Sequence, residues 1–351
     1  MRNPGKTPPF RGPRGEILPG SIAETHYLRL GGVDQWVMIR GESVSNPPLV
    51  MLHGGPGWSE TGFFRGCNAV LEKSFTVVYW DQRGAGRSSH RSIPRASLTV
   101  AQHLADLDEL VAWVLARTRA EQVAIFGHSW GSALGVLYAA RFPAKVAAYV
   151  GSGQLGDWAA AERASYALAL AEAQRRRART AEKKLRAIGP PPYDASKVFV
   201  ERTVVSRLGG VMSAKGIWHV ARILHGAPEV SLLALPKAWR AFYSTFQAMW
   251  PEVSQLNLLE AAPELRMPVF FFLGRRDDFV PPETSVAYFD ALVAPSKQIV
   301  WFEKSGHEPF VDEAERFNAA MVDIVRPVLW QRHGHDPPRS VTPAMAEHIT
   351  A

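Results

Sequence analysis

The chain has 351 residues, 46% hydrophobic and 21% charged, with a formal net charge of +7 and a mean hydropathy of −0.10. That length buries a full core, and the single cysteine, Cys67, excludes an intrachain disulfide and suits a reducing compartment. No apolar run approaches the ~18 residues that would suggest a membrane span.

Residues 1–24 read as a Pro/Gly/Arg-rich extension. Its first twenty residues hold no apolar stretch of the signal-peptide kind, so the expected address is the cytoplasm. "THYLRLGG" and "QWVMIRGE" read as two strands joined by a tight glycine turn. "PPLVMLHGGPG" and "SFTVVYWDQRGAGRSS" each start as an apolar strand and run into a glycine-containing loop. The spacing predicts a helix from Thr99 to Arg117: Thr99 and Gln102 have capping-box spacing, and Leu104, Leu107, Leu110, Val111 and Val114 recur at helical intervals. "QVAIFGHS", a helix and "VAAYVGSG" follow. Later come "MPVFFFLGRRDD", a helix from about Pro282, "KQIVWFEKSGH" and a last helix ending near Gln331. Short, wholly apolar strands alternating with helices predict an α/β fold with a mostly parallel sheet covered on both faces.

The alternation stops between residues 156 and 261. Trp158 to Ile188 reads as one helical stretch, ended by Gly189-Pro190-Pro191-Pro192. Aromatic-rich helical sequence follows, with Trp218, Trp239, Phe242, Tyr243, Phe246 and Trp250. The segment holds 15 Lys/Arg against 9 Asp/Glu, so most of the net charge sits there, much of it in the run Arg175 to Arg179. Without interleaved aromatics or a nucleic-acid motif, that run reads as the solvated face of a helix. The expected organisation is a core of 25–155 and 262–332, a helical insertion at 156–261, and a polar tail at 333–351.

"VAIFGHSWGSALG" joins strand to helix through Gly127-His128-Ser129-Trp130-Gly131. Gly-x-Ser-x-Gly in that setting is a nucleophile elbow, a turn sharp enough to leave the serine oxygen exposed above the sheet. A serine nucleophile needs a base, and the base needs an orienting carboxylate. Asp277 and Asp278 stand just past one apolar strand, and His307 stands on a loop past the next. For the oxyanion, two backbone N–H donors are expected: Trp130, after the serine, and Gly55 in the "HGGPG" loop.

These stretches resemble the α/β-hydrolase fold and, within it, the proline-iminopeptidase-like group. "HGGPG" (53–57), "YWDQRGAGRS" (79–88) and "GHSWGS" (127–132) carry the resemblance, completed by "GRRD" (274–277) and "GH" (306–307). It implies a catalytic triad of Ser129, His307 and Asp277, with Asp277 preferred to Asp278. It implies hydrolysis of an ester or amide through an acyl-enzyme, without metal or organic cofactor, and makes the insertion a cap that selects the substrate. In proline iminopeptidases the cap supplies glutamates for the substrate's amino terminus. The segment that carries them is not matched here, so substrate-binding residues stay unassigned within the cap. Glu201, Glu229 and Glu252 are candidates by location only.

The basic cap suits an amine poorly. The first expectation is therefore a carboxylesterase for a bulky or lactone ester, such as a macrolide-type antibiotic. Release of N-terminal proline from peptides is the second, and a non-catalytic ligand-binding protein the third. The serine nucleophile argues against the epoxide hydrolases and haloalkane dehalogenases, which use aspartate. The expected partner is a small-molecule ester or short peptide, with neither nucleic acid nor membrane; the oligomeric state stays open.

Three weaker signals remain. "GSGQLG" (151–156) has dinucleotide-fingerprint spacing, with Glu172 near the ribose distance, but its strand is not the first of its unit. His333, His335 and Asp336 could chelate a metal, though a polar tail suits solvated side chains better. Arg83 and Arg87 are expected to pin the loop beside the site by hydrogen bonds.

Overall fold

A computed structural model describes residues 5–210, 223, 226–229 and 235–332. Eight strands form one sheet in the order β1-β2-β4-β3-β5-β6-β7-β8. They are β1 (Ile22–Leu30), β2 (Val33–Gly41), β3 (Pro48–Leu52), β4 (Thr76–Trp80), β5 (Val123–His128), β6 (Val146–Ser152), β7 (Val269–Gly274) and β8 (Lys297–Phe302). β1 and β2 form an antiparallel hairpin, β2 also runs antiparallel to β4, and every pairing from β4 to β8 is parallel. β1 begins inside the stretch read as an extension, and residues ahead of it pack down. Thr7 Oγ1 donates to Glu229 at 2.5 Å, and Arg40 donates to the Pro8 carbonyl at 2.6 Å.

The central strands are buried along their whole length because helices cover both faces. Alternation sorts their side chains: Val123 and Ile125 join one core, Ala124 and Phe126 the other. The first core takes Leu107, Leu110, Val111 and Val114 from helix α2 (Val100–Thr118) and Leu134 and Tyr138 from α3 (Trp130–Arg141). The second takes Phe64 from α1 (Thr61–Asn68), with Phe310, Phe317 and Met321. The predicted cap on α2 is present, since the Gln102 N–H donates to Thr99 Oγ1 at 3.1 Å.

Helices fill the chain between β6 and β7, among them α4 (Trp158–Arg175), α5 (Arg179–Ile188), α6 (Ala195–Leu208) and α7 (Leu235–Val253). The single helix read over Trp158–Ile188 is therefore two. The break falls in the arginine run, where Arg177 turns to φ +53°. It folds α5 back so that Leu185 packs with Ala169 and Ala173 of α4 and with Val204, Val205 and Leu208 of α6. Glu172 pairs with Arg175 and Arg176 on the exposed side. No helix among the described residues is long and apolar enough to cross a membrane. Trp218, the 333–351 tail and its His333, His335 and Asp336 lie outside the described residues.

Candidate active site

Ser129 stands between the end of β5 and the start of α3 with φ +52° and ψ −120°. Such backbone costs on the order of 1–3 kcal/mol and persists only where the surroundings hold it. Here the Ser129 N–H donates to the Ser152 carbonyl at the end of β6, at 2.9 Å. The flanking glycines answer a second demand. A Cβ on Gly127 would lie 2.4 Å from the Gly131 carbonyl oxygen, and one on Gly131 would lie 2.2 Å from that of Leu52. Strand, turn and helix pass too closely for side chains at either position.

Asp277 follows β7. Its Oδ1 accepts the Phe279 and Val280 N–H groups at 2.9 and 2.8 Å, and its Oδ2 accepts His307 Nδ1–H at 2.8 Å. Asp278 points elsewhere, against Gly210. The Asp277 bond puts the His307 proton on Nδ1 and leaves Nε2 as a lone-pair acceptor. Nε2 is buried and has no partner among the described residues. Burial lowers the His307 pKa, outweighing the pull of Asp277, while charges at His128 and Arg202 push the same way. The imidazole is thus neutral at pH 7, as a general base requires.

Gly153 makes room for that ring. It sits at φ +51°, and a Cβ there would lie 2.5 Å from His307 Cε1. Gly151 abuts Gln154, and Gly156 abuts Tyr288. The glycine spacing of "GSGQLG" serves close packing, not a phosphate cradle.

The three long motifs meet as one hydrogen-bonded unit. Gln82 donates its N–H to His53 Nε2 and its amide to the His53 carbonyl, both at 3.0 Å, and accepts from the Trp130 indole at 2.9 Å. His53, buried and pushed below its usual pKa by that burial, is neutral and donates Nδ1–H to the Gly54 carbonyl. Gln82 therefore fixes the Gly55 loop relative to Trp130, the two expected oxyanion donors. Arg83 grips Asp106 with two hydrogen bonds, at 2.7 and 2.8 Å. The Arg87 N–H donates to Asp81 and its guanidinium lies over Trp36. Both arginines pin the loop as expected.

The candidate cap glutamates are committed elsewhere. Glu201 accepts from Ser165 and pairs with Arg202, Glu229 pairs with Arg65, and Glu252 accepts the Val100 N–H. Three other groups by the serine went unread in the sequence. His128 donates Nδ1–H to Glu60 at 2.7 Å and Nε2–H to the His307 carbonyl at 3.0 Å. Burial opposes its charge, but Glu60 and Glu308 outweigh burial and raise its pKa to about 9. Glu308 follows His307, and burial raises its pKa to about 8. The only sequence signals were adjacency: Glu60 lies three residues past "HGGPG", and His128 and Glu308 neighbour Ser129 and His307.

Ser129, His307, Glu60 and Glu308 all line one cavity of about 580 Å³. Its far wall comes from α4, α6 and α7, with Trp158, Phe199, Phe242 and Phe246. Among the described residues no three His, Cys, Asp or Glu side chains converge to hold a metal. The arrangement has the parts that acyl transfer needs: a strained, half-buried serine that lines the cavity, a neutral imidazole with a free nitrogen, and a carboxylate behind it.

The sequence profile of the alpha/beta hydrolase fold family matches residues 47–314. A probable aminopeptidase of Bacillus subtilis is 30% identical, over 85% of this chain and 94% of its own. A proline iminopeptidase of Heyndrickxia coagulans is 27% identical, over 82% of this chain and 93% of its own. Among solved structures, a proline iminopeptidase-related protein of Thermus thermophilus superposes with a TM-score of 0.63 at 22% identity, covering 88% of this chain and 99% of its own. The buried parallel sheet, the helices between β6 and β7 and these matches agree: the chain belongs to the α/β-hydrolase fold family, in its proline-iminopeptidase-like group.

Proposed function

We propose that the chain is a serine hydrolase of aminopeptidase type, releasing the N-terminal residue of a small peptide or amide through an acyl-enzyme. The observation that carries the reaction class is His307. Its imidazole is held by Asp277, and its unpartnered Nε2 is buried in the wall of the cavity that Ser129 also lines. In this reading Ser129 attacks the acyl carbon as His307 takes its proton. The Gly55 and Trp130 N–H groups receive the oxyanion. His307 protonates the departing amine, and a water that it activates then releases the acid.

The preference for an amide substrate over an ester rests on likeness to aminopeptidase relatives along nearly their whole length. That likeness favours the second sequence expectation over the first. The ester reading keeps one observation in its favour, the aromatic cavity wall whose cap glutamates are already paired.

A panel of aminoacyl arylamides led by proline, run beside chromogenic esters, separates the two. The amide reading expects arylamide turnover that falls at least about 10⁴-fold in Ser129→Ala. Ester turnover without arylamide turnover would return the assignment to a carboxylesterase.

A further inference from the structure

Three contacts tie the helical insertion to the short loop that carries the triad acid. The Asp278 N–H donates to the Gly210 carbonyl, just past α6, at 3.2 Å. Ser165 of α4 places its Oγ 2.7 Å from the Asp278 carbonyl oxygen. Arg202 of α6 lays its guanidinium over the Phe279 ring, 4.1 Å from the centroid. Phe279 in turn packs on the His307 ring, with centroids 4.8 Å apart, and gives its N–H to Asp277. Guanidinium and imidazole are thus linked through one aromatic ring, and Arg202 and Phe279 both line the cavity with Ser129.

Arg202 is itself held firmly. It pairs with Glu162 and with Glu201, the latter at 2.8 Å, and donates to Ser165 at 3.1 Å. Burial works against its charge, and Glu162, Glu201 and Asp277 outweigh burial. A cation on an aromatic face is attracted more strongly where water is excluded, and a guanidinium offers a plane that an ammonium lacks. The other charged or titratable groups around His307 are Asp277 past β7, His128 at the end of β5 and Glu308 next in the chain; Glu162 and Glu201 come with Arg202. Arg202 stays cationic while the others titrate. We propose that Arg202 is a positioning residue for the acid–base pair: through Phe279 it holds the His307 imidazole against Asp277, so that the insertion takes part in the chemistry of the core. This rests on the serine-hydrolase reading. Burial lowers the His307 pKa, and the Arg202 charge adds to that effect.

The test reads the base directly and needs no known substrate. Labelling of Ser129 by diisopropyl fluorophosphate is timed by intact-mass spectrometry from about pH 5 to about pH 9, and its rate climbs with the neutral fraction of His307 to a plateau. Arg202→Gln should lower the plateau about tenfold or more and raise the midpoint of the climb by about half a pH unit or more. Arg202→Lys keeps the charge and loses the plane, so it should restore the midpoint but not the plateau. Phe279→Leu leaves every charge in place and should lower the plateau about fivefold or more. A residue that only holds the insertion together would not separate midpoint from plateau in this way. Wild-type rates in Phe279→Leu, or an Arg202→Gln midpoint that does not move, would overturn the proposal. Should Arg202→Gln fail to fold, because it strands Glu162 and Glu201, the other two variants decide, and a wild-type plateau in either overturns it. Labelled wild type with unmoved variants removes the role of Arg202 and keeps the serine hydrolase; no labelling of wild-type Ser129 removes both.

Discussion

One methyl group at Gly153 would enter the space of the His307 ring, 2.5 Å from Cε1, at a backbone φ of +51° that side chains resist. Gly153→Ala should therefore fold but displace the imidazole. We expect kcat/KM to fall about 10²-fold or more, the scale of an ångström-sized misplacement. Circular dichroism should stay native, and full activity in the folded variant would contradict the packing argument. Legibility at this scale followed backbone punctuation. Ser129, Asp277 and His307 stand where apolar strands give way to loops, so hydropathy alone flags the neighbourhood, while the choice of Asp277 over Asp278 came from the family spacing. Glu60, His128 and Glu308 carry no such mark. Glu60 and His128 meet across 68 residues of chain, a contact that no local pattern encodes.

Among the elements, the core strands and α2 were readable because burial on both faces and a capped amphipathic helix leave distinct periodicities. The break between α4 and α5 was not. Alanine and arginine favour helix on both sides of it, and the chain turns because Leu185 finds a pocket against α4 and α6. α7 is anchored to the rest of the insertion by Trp250. Its indole donates to the Tyr193 carbonyl at 2.7 Å, stacks on Phe246 and meets Trp158 edge-on. Trp250→Ala should cost about 3–5 kcal/mol, the usual figure for a buried tryptophan. It should also raise KM through the cavity wall formed by Phe246. Urea unfolding and steady-state kinetics measure the two effects; a change below about 1 kcal/mol would mean that α7 is held by other contacts.

For the whole molecule, buried charge near the cavity sets how stability varies with pH. His128 titrates at about 9 against an ordinary 6.5, so its stabilisation is full below pH 6.5 and is lost as pH rises through about 9. Glu308 at about 8 and Glu162 at about 7 are raised from 4.5 by burial, so each is easiest to accommodate below 4.5 and loses that advantage by its folded value. All three have the same sign. Unfolding free energy should fall between pH 6 and pH 9, with His128 alone contributing on the order of 3 kcal/mol. Urea titrations at pH 6, 7.5 and 9 check this, and a flat or rising profile would contradict it. Net charge and composition suggested none of this, because a count of charged residues does not say which of them are buried together.

The central claim is that Ser129 is a nucleophile activated by His307. The most direct measurement is mass spectrometry of the intact and digested protein after treatment with a fluorophosphonate. One phosphonyl group per chain is expected, on Ser129, and labelling should collapse in His307→Ala. Labelling at another residue, or undiminished labelling without His307, would contradict the account.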